Sequence, residues 1–254
     1  MRMLEIYQAM NRGDFSRPEV RAYRDRFKKF VVDSTNHRIR KKVEANFPNL
    51  YFTRKAKEEM HYAANEVSAV FSSPTELIGV LDGRKEDNNL ILDSFNTFHN
   101  QYCNKVISDL DPFGKIITLR QLRQQEKTPL SFAHSHNTMG TFHSSLDNIM
   151  LEDETDSSTS TFDFQIDGKH LICPYSISTV FNQRGNLYVK AGVLAYEMQL
   201  DGRFRRKYIS FEPKFLTSNL GSLDDDSRSR LDREIRDRVT YQHNINNRGF
   251  TNEF

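Results

Sequence analysis

The feature that most constrains the fold is a pair of histidines, His134 and His136, at the end of an apolar run that predicts a strand at about 129–134. Residues two apart on a strand point to the same face of a sheet, so both imidazoles can reach one metal ion. Asp147 can supply a carboxylate ligand once the chain has turned back. Two histidines and one carboxylate leave the fourth tetrahedral position open, which is typical of a catalytic zinc.

A hydrolytic metal site also needs a general base, and Glu76 is the best candidate. It starts an apolar segment at 76–81 that predicts a strand, where a carboxylate has no packing role. Ser144 could donate a hydrogen bond to an oxyanion. It could also cap a helix that begins near Ser145, and one side chain can do both. The alternatives are that Glu76 is an ordinary surface residue and that the two histidines are ordinary polar residues at a strand end.

The spacing H-x-H-x7-S-x-x-D is specific. In a chain of 254 residues with 8 histidines, random placement gives on the order of 10⁻³ matches. Together with the upstream glutamate and the serine between the histidines, the pattern resembles the JAMM (MPN+, JAB) metalloprotease signature. The residues that match are Glu76, His134, Ser135, His136, Ser144 and Asp147. The resemblance covers roughly residues 50–150. The chain departs from the usual pattern at Asn137, where the family commonly has proline, and at Ala133, where it commonly has an aromatic residue.

The resemblance implies an MPN/JAB-type domain with a mixed, curved β-sheet flanked by helices. It implies one zinc ion per chain, bound by His134, His136 and Asp147, with Glu76 assisting the attack of a zinc-activated water and Ser144 stabilising the oxyanion. Family members hydrolyse isopeptide or peptide bonds, most often at the C-terminus of ubiquitin or a ubiquitin-like protein, and such a protein is the expected substrate. A different zinc class, the deaminases, requires H-x-E with P-C-x-x-C, which is absent from the sequence.

Apolar periodicity and turn residues predict mixed α+β elements rather than strict alternation. Predicted helices lie in the first fifty residues and at about 54–71 (capped by Thr53), 115–126 and 224–241. Predicted strands lie at 76–81, turning at Asp82-Gly83, and at 90–95, 129–134, 161–166, 170–181, 186–199 and 205–211. The last four are separated by predicted turns at Asp167-Gly168, Asn182–Gly185 and Asp201-Gly202. We divide the chain into a basic helical extension (1–50), a catalytic domain (51–215) with an acidic loop at about 152–160, and a charged C-terminal helix and tail (216–254).

Charge and cysteine content bear on partners and compartment. The chain holds 36 Lys+Arg and 34 Asp+Glu, but the basic excess lies in residues 1–50. That region is either a solvated amphipathic helix or a contact for a protein partner or an acidic surface, and nucleic acid is not the expected partner. No apolar run is long enough to span a membrane. Glu5 argues against a signal peptide, and two cysteines, Cys103 and Cys173, fit a reducing, cytoplasmic location.

Two other functions remain open from the sequence. The chain could be a catalytically silent MPN scaffold that assembles a larger particle through its added helices. It could instead be a phage or mobile-element protein that uses the fold for assembly or peptide trimming.

Overall fold

The computed structural model describes residues 37–104, 108–137, 140–166, 169–198 and 204–242, together with Pro18. The helices are α1 (His37–Asn46), α2 (Arg54–Val70), α3 (Pro112–Gln124), α4 (Ser145–Asp156) and α5 (Asp225–Arg238). The strands are β1 (Asn49–Thr53), β2 (Ile78–Glu86), β3 (Asn89–Thr97), β4 (Gln101–Cys103), β5 (Ser108–Leu110), β6 (Thr128–Ser135), β7 (Thr161–Ile166), β8 (Lys169–Phe181), β9 (Leu187–Met198), β10 (Phe204–Phe211), β11 (Phe215–Ser218) and β12 (Val239–Tyr241). Residues 1–50 are predicted to be helical, and α1 lies in this region. The rest of the region before residue 37, apart from Pro18, lies outside the described residues, as do the turns predicted at Asp167-Gly168 and Asp201-Gly202. Within the described ranges, no helix has the length and apolar character needed to cross a membrane.

The chain forms two compact units, each assembled from separate stretches of sequence. Unit 1 contains 143–176 and 190–212 with the described residues up to Phe47, and unit 2 contains 48–142, 177–189 and the chain from Pro213 onward. The sequence-based division at residues 50 and 215 stays a prediction.

Unit 2 is built on a mixed sheet in which β2 is central. β2 pairs antiparallel with β3 and with β6, whereas β6 with β8, β3 with β1, and β1 with β11 are parallel pairs. Parallel and antiparallel pairs in one sheet, with helices between them in the chain, confirm the mixed α+β class. The register of β2 shifts at Leu81–Gly83 against both neighbours, and such bulges bend a strand and curve its sheet.

The hairpin between β2 and β3 differs from its prediction. The strand continues through Asp82-Gly83 to Glu86, so the turn predicted there is wrong. A Cβ at Gly83 would lie 1.9 Å from the Ile91 carbonyl oxygen, which means the glycine serves a close backbone approach rather than a turn. The chain reverses later at Asp87, which has a φ of 52°.

The helices of unit 2 follow their sequence signals closely. Thr53 caps α2 by accepting a hydrogen bond from the Ala56 N–H, as predicted, and the apolar face of α2 is buried. Helix α3 begins earlier than predicted because Asp111 caps it and Pro112 occupies its first turn, where a missing N–H has no cost. Leu231 and Ile235 of α5 are buried as predicted. Val239, expected on the same stripe, instead starts β12, which pairs with β4.

Unit 1 contains antiparallel pairs β7–β8 and β9–β10, which confirms the four strands predicted after residue 160. Its core includes Phe47, whose ring meets those of Phe162, Tyr175 and Phe211 edge-on at centroid distances between 5.2 and 5.4 Å. The acidic loop predicted at about 152–160 is wrong in its first half, because α4 extends to Asp156.

The last turn of α4 is held by buried polar contacts in unit 1. The Thr155 hydroxyl lies 2.6 Å from both the Leu151 carbonyl oxygen and the Ser176 Oγ. These contacts join α4 to β8. They stabilise helical structure in a segment whose acidic composition predicts a solvated loop.

Candidate metal centre

Strand β6 delivers both histidines to one face. His134 is paired with Ile78 of β2 on one side and with Val180 of β8 on the other. His136 lies just beyond the strand, and its N–H donates to the Phe181 carbonyl oxygen at 2.8 Å. The two ring Nε2 atoms are 3.2 Å apart. The alternation of a strand therefore places the imidazoles together, as the sequence predicts.

The His136 ring is oriented by its own local contacts. Its Nδ1 lies 3.3 Å from the Gly140 carbonyl oxygen. Because a carbonyl can only accept, this contact requires the proton on Nδ1 and leaves the Nε2 lone pair for a metal. The Phe142 ring meets the His136 ring edge-on at 5.0 Å and is itself half exposed.

Asp147 is presented by the first turn of α4. Ser144 is the N-cap of this helix, and its Oγ accepts from the Asp147 N–H at 3.2 Å. The Asp147 Oδ2 accepts in return from the Ser144 N–H at 2.6 Å. This reciprocal capping box satisfies two backbone donors that a helix start would otherwise leave open. The S-x-x-D spacing thus has a structural role, and the cap predicted for Ser144 is present.

His134, His136 and Asp147 each offer one ligand atom, and these atoms all lie within 4.8 Å of one another. Two nitrogen ligands of a tetrahedral zinc, each roughly 2.0–2.1 Å from the ion, are about 3.3 Å apart. The observed Nε2 separation of 3.2 Å matches that value. The residues fit a metal ion, and the group could bind one.

Glu76 lies immediately before β2 and is buried, with 8% of its surface exposed. Its N–H donates to the Asn104 carbonyl oxygen at 3.0 Å. Since Ile78 pairs with His134 in an antiparallel register, continuing the register places Glu76 opposite His136. Residues opposite each other share a face of the sheet. Burial also argues against the interpretation of Glu76 as an ordinary surface residue.

Two polar residues near these elements were missed by sequence reasoning. Gln101 is fully buried, and its amide bonds to the backbone of Ile78. Lys190 of β9 donates to the Asn148 side chain, one residue after Asp147. Burial lowers the pKa of Lys190, against the opposing effect of Glu212. Neither residue stands in a periodic or motif context, so the sequence carries no signal for them.

Comparisons with known proteins add little to this geometry. No protein-family model matches the chain, and no curated protein matches it. Among solved structures, the chain is similar to protein DSY2949 from Desulfitobacterium hafniense, a structural genomics target known from a solution structure. The TM-score is 0.42 at 14% identity, over 70% of this chain and 97% of that one. A similarity at this level carries no argument about function.

Proposed function

We propose that this protein is a zinc-dependent peptidase of the JAMM (MPN+, JAB) type. It hydrolyses an isopeptide or peptide bond at the C-terminus of ubiquitin or a ubiquitin-like protein. The observation that carries the proposal is the spatial grouping of His134, His136 and Asp147, which stand in the H-x-H-x7-S-x-x-D spacing. Two imidazoles and one carboxylate are the ligand set of a catalytic zinc site with an open position. One zinc ion per chain follows from one such group among the described residues.

A zinc ion held by these residues would supply Lewis acidity, polarising a carbonyl and lowering the pKa of a bound water to about 7. The chain supplies the remaining steps. Glu76 accepts the proton that the attacking water loses and delivers it to the leaving amine. This role is supported by the register of β2 and β6, which, continued by two residues, sets Glu76 opposite His136. Glu76 is a buried residue, so it is largely shielded from bulk water.

Ser144 can act as cap and as oxyanion donor together. Its Oγ uses a lone pair to accept from the Asp147 N–H. The hydroxyl proton is then available for the oxyanion that forms when the scissile carbonyl is attacked. Loss of one such donor typically lowers the rate by about 10²–10³.

The remaining expectations belong to the same proposal. Cys103 and Cys173 are both buried, and neither forms a disulfide. Buried cysteines outside disulfides are common in reducing compartments, which supports a cytoplasmic location. The basic region of residues 1–50 is proposed to contact a protein partner or an acidic surface. The structure describes Pro18 and residues 37–50 of this region.

The test is cleavage of a panel of ubiquitin-like fusions and chains by the zinc-loaded full chain. We expect Glu76→Gln and His134→Ala to abolish cleavage. His61→Ala is the matched control, because His61 is an exposed histidine that does not belong to the His134, His136 and Asp147 group, and its Nε2 lies 2.7 Å from the Gln183 carbonyl oxygen. Cleavage that persists in both Glu76→Gln and His134→Ala would show that another site is responsible.

One observation favours a scaffold function as a second candidate. Helix α3 buries Gly114, Thr118 and Leu122 but exposes three large apolar side chains. The exposed fractions are 73% for Phe113, 53% for Ile116 and 42% for Ile117. Contiguous exposed apolar residues often mark a protein contact. Elemental analysis of freshly purified protein separates the two functions, because the absence of stoichiometric zinc would favour the scaffold.

A further inference from the structure

The short backbone segment that carries Glu76 is held on the β6 side by one buried serine. Ser135, between the two histidines, is fully buried. Its Oγ accepts from the Leu77 N–H at 2.9 Å, and its own N–H donates to the Leu77 carbonyl oxygen at 2.8 Å. The serine side chain thus takes the place of a backbone carbonyl and extends the β2–β6 pairing by one residue toward Glu76.

On its other side the segment is held by Gln101. The Gln101 Nε2 donates to the Ile78 and Phe98 carbonyl oxygens, both at 2.9 Å, while its Oε1 accepts from the Ile78 N–H at 2.9 Å. A primary amide has one acceptor and two donor hydrogens, and here both kinds of group are used. Gln101 therefore acts as a one-residue substitute for a neighbouring strand where β3 has already ended.

We propose that Ser135 and Gln101 are positioning residues that fix the backbone of residues 76–78 and thereby hold the Glu76 carboxylate beside the metal ligands. The inference rests on the proposed function, since it concerns Glu76 as the general base. Its physical basis is that a catalytic carboxylate must be placed within hydrogen-bond reach of its proton. Backbone bonds also hold this segment, from the Glu76 N–H to the Asn104 carbonyl oxygen and from the Phe98 N–H to the Ile78 carbonyl oxygen, and the two side chains bind the Leu77 and Ile78 N–H groups that these bonds leave open.

Ser131 supplies a matched control in the same strand. It is also buried, but its Oγ contacts the Ile177 carbonyl oxygen and the Thr179 hydroxyl at 3.2 and 3.0 Å. These contacts join β6 to β8 and do not touch residues 76–78. Ser131→Ala removes a buried hydroxyl of the same type without freeing the Glu76 segment.

The experiment compares Ser135→Ala, Ser135→Thr, Gln101→Met and Ser131→Ala in the zinc-loaded full chain. Loss of a side chain that orients an active-site group typically lowers activity by about 10- to 100-fold. We therefore expect kcat to fall by about that factor in Ser135→Ala and Gln101→Met, with KM unchanged. Ser135→Thr, which keeps the hydroxyl, restores kcat, and Ser131→Ala leaves it near wild type. Hydrogen exchange at the Leu77 amide becomes faster in Ser135→Ala only.

A second readout needs no cleavage. The visible spectrum of the cobalt-loaded protein reports the surroundings of the ion, and we expect Ser135→Ala and Gln101→Met to alter it in the way Glu76→Gln does. If wild type cleaves no substrate but these spectral changes occur, the peptidase proposal fails and the positioning role stands. If Glu76→Gln abolishes cleavage while both Ser135→Ala and Gln101→Met keep wild-type kcat and spectrum, the positioning role is wrong. An equal loss in Ser131→Ala would also overturn it. If Ser135→Ala does not fold, the positioning role is tested by the kcat and cobalt spectrum of Gln101→Met, with Ser135→Thr expected to match wild type.

Discussion

Replacing Ser144 should separate its two roles, because one oxygen caps α4 and is also proposed to serve catalysis. Ser144→Ala removes the acceptor of the Asp147 N–H at 3.2 Å and leaves that donor open at the helix start. The reciprocal contact, in which the Asp147 Oδ2 accepts from the residue 144 N–H, uses no side-chain atom of residue 144 and can persist. Half of the capping box is therefore lost.

The expected magnitudes differ enough to be resolved. An N-cap serine replaced by alanine costs about 1 kcal/mol of stability. If all of that loosening reached Asp147, metal affinity would fall by about fivefold, since 1.4 kcal/mol corresponds to a factor of ten. Loss of an oxyanion donor instead lowers kcat by about 10²–10³. Capping alone cannot produce a rate loss of that size once zinc is saturating.

The assay measures urea unfolding, zinc affinity and kcat for Ser144→Ala and Ser144→Asp. Aspartate is an equally good N-cap but, ionised, has no proton to donate. We expect Ser144→Asp to regain stability while kcat stays low. If Ser144→Asp regains both stability and kcat, Ser144 acts only as a cap and the oxyanion role is refuted. A kcat loss below tenfold in Ser144→Ala at saturating zinc would refute it as well.

Three further outcomes follow from the described contacts. Arg230→Met should lower the free energy of unfolding by about 3 kcal/mol, because the buried Glu234 and Glu59 lose the guanidinium that lies 3.2 and 2.9 Å away. This is the lower end of the range for a broken buried ion pair, since Arg238 and Lys55 remain at 3.5 and 3.8 Å from the two carboxylates; a loss under 1 kcal/mol in urea denaturation would contradict the prediction. Zinc at 100 times its Kd should raise the free energy of unfolding by about 2.7 kcal/mol in wild type and leave it unchanged in His134→Ala. Thermal melting with and without zinc measures this, and an equal increase in Tm in both proteins would show that the ion binds elsewhere. Burial, helped by Arg238, lowers the pKa of His99 below its ordinary 6.5. The folded state then binds fewer protons than the unfolded state, so stability should fall as pH drops from 6.5 through the folded pKa. His99→Gln should flatten this part of the pH–stability curve, and an unchanged slope would exclude His99 as its source.

Sequence-based predictions were confirmed where a residue type has a specific local role, such as capping a helix or forming a turn. Thr53 before an apolar helical face predicts the cap of α2, and that cap is present. The Asn182–Gly185 turn is also present, with Gly185 at a φ of 77°. Predictions based on composition did less well. The acidic stretch after Asp147 indicates a loop, yet its first part is helical because buried contacts of Thr155 outweigh the charge of its neighbours.

The sequence by itself determined the candidate ligand set. Strand alternation puts His134 and His136 on one face, and the S-x-x-D spacing makes Ser144 and Asp147 a capping box, because both patterns depend only on local backbone periodicity. What only the tertiary structure decided is how Glu76 is held. Its placement depends on pairings between residues far apart in the chain, and the Gln101 amide that completes them has no local signature because it serves the backbone of a distant segment.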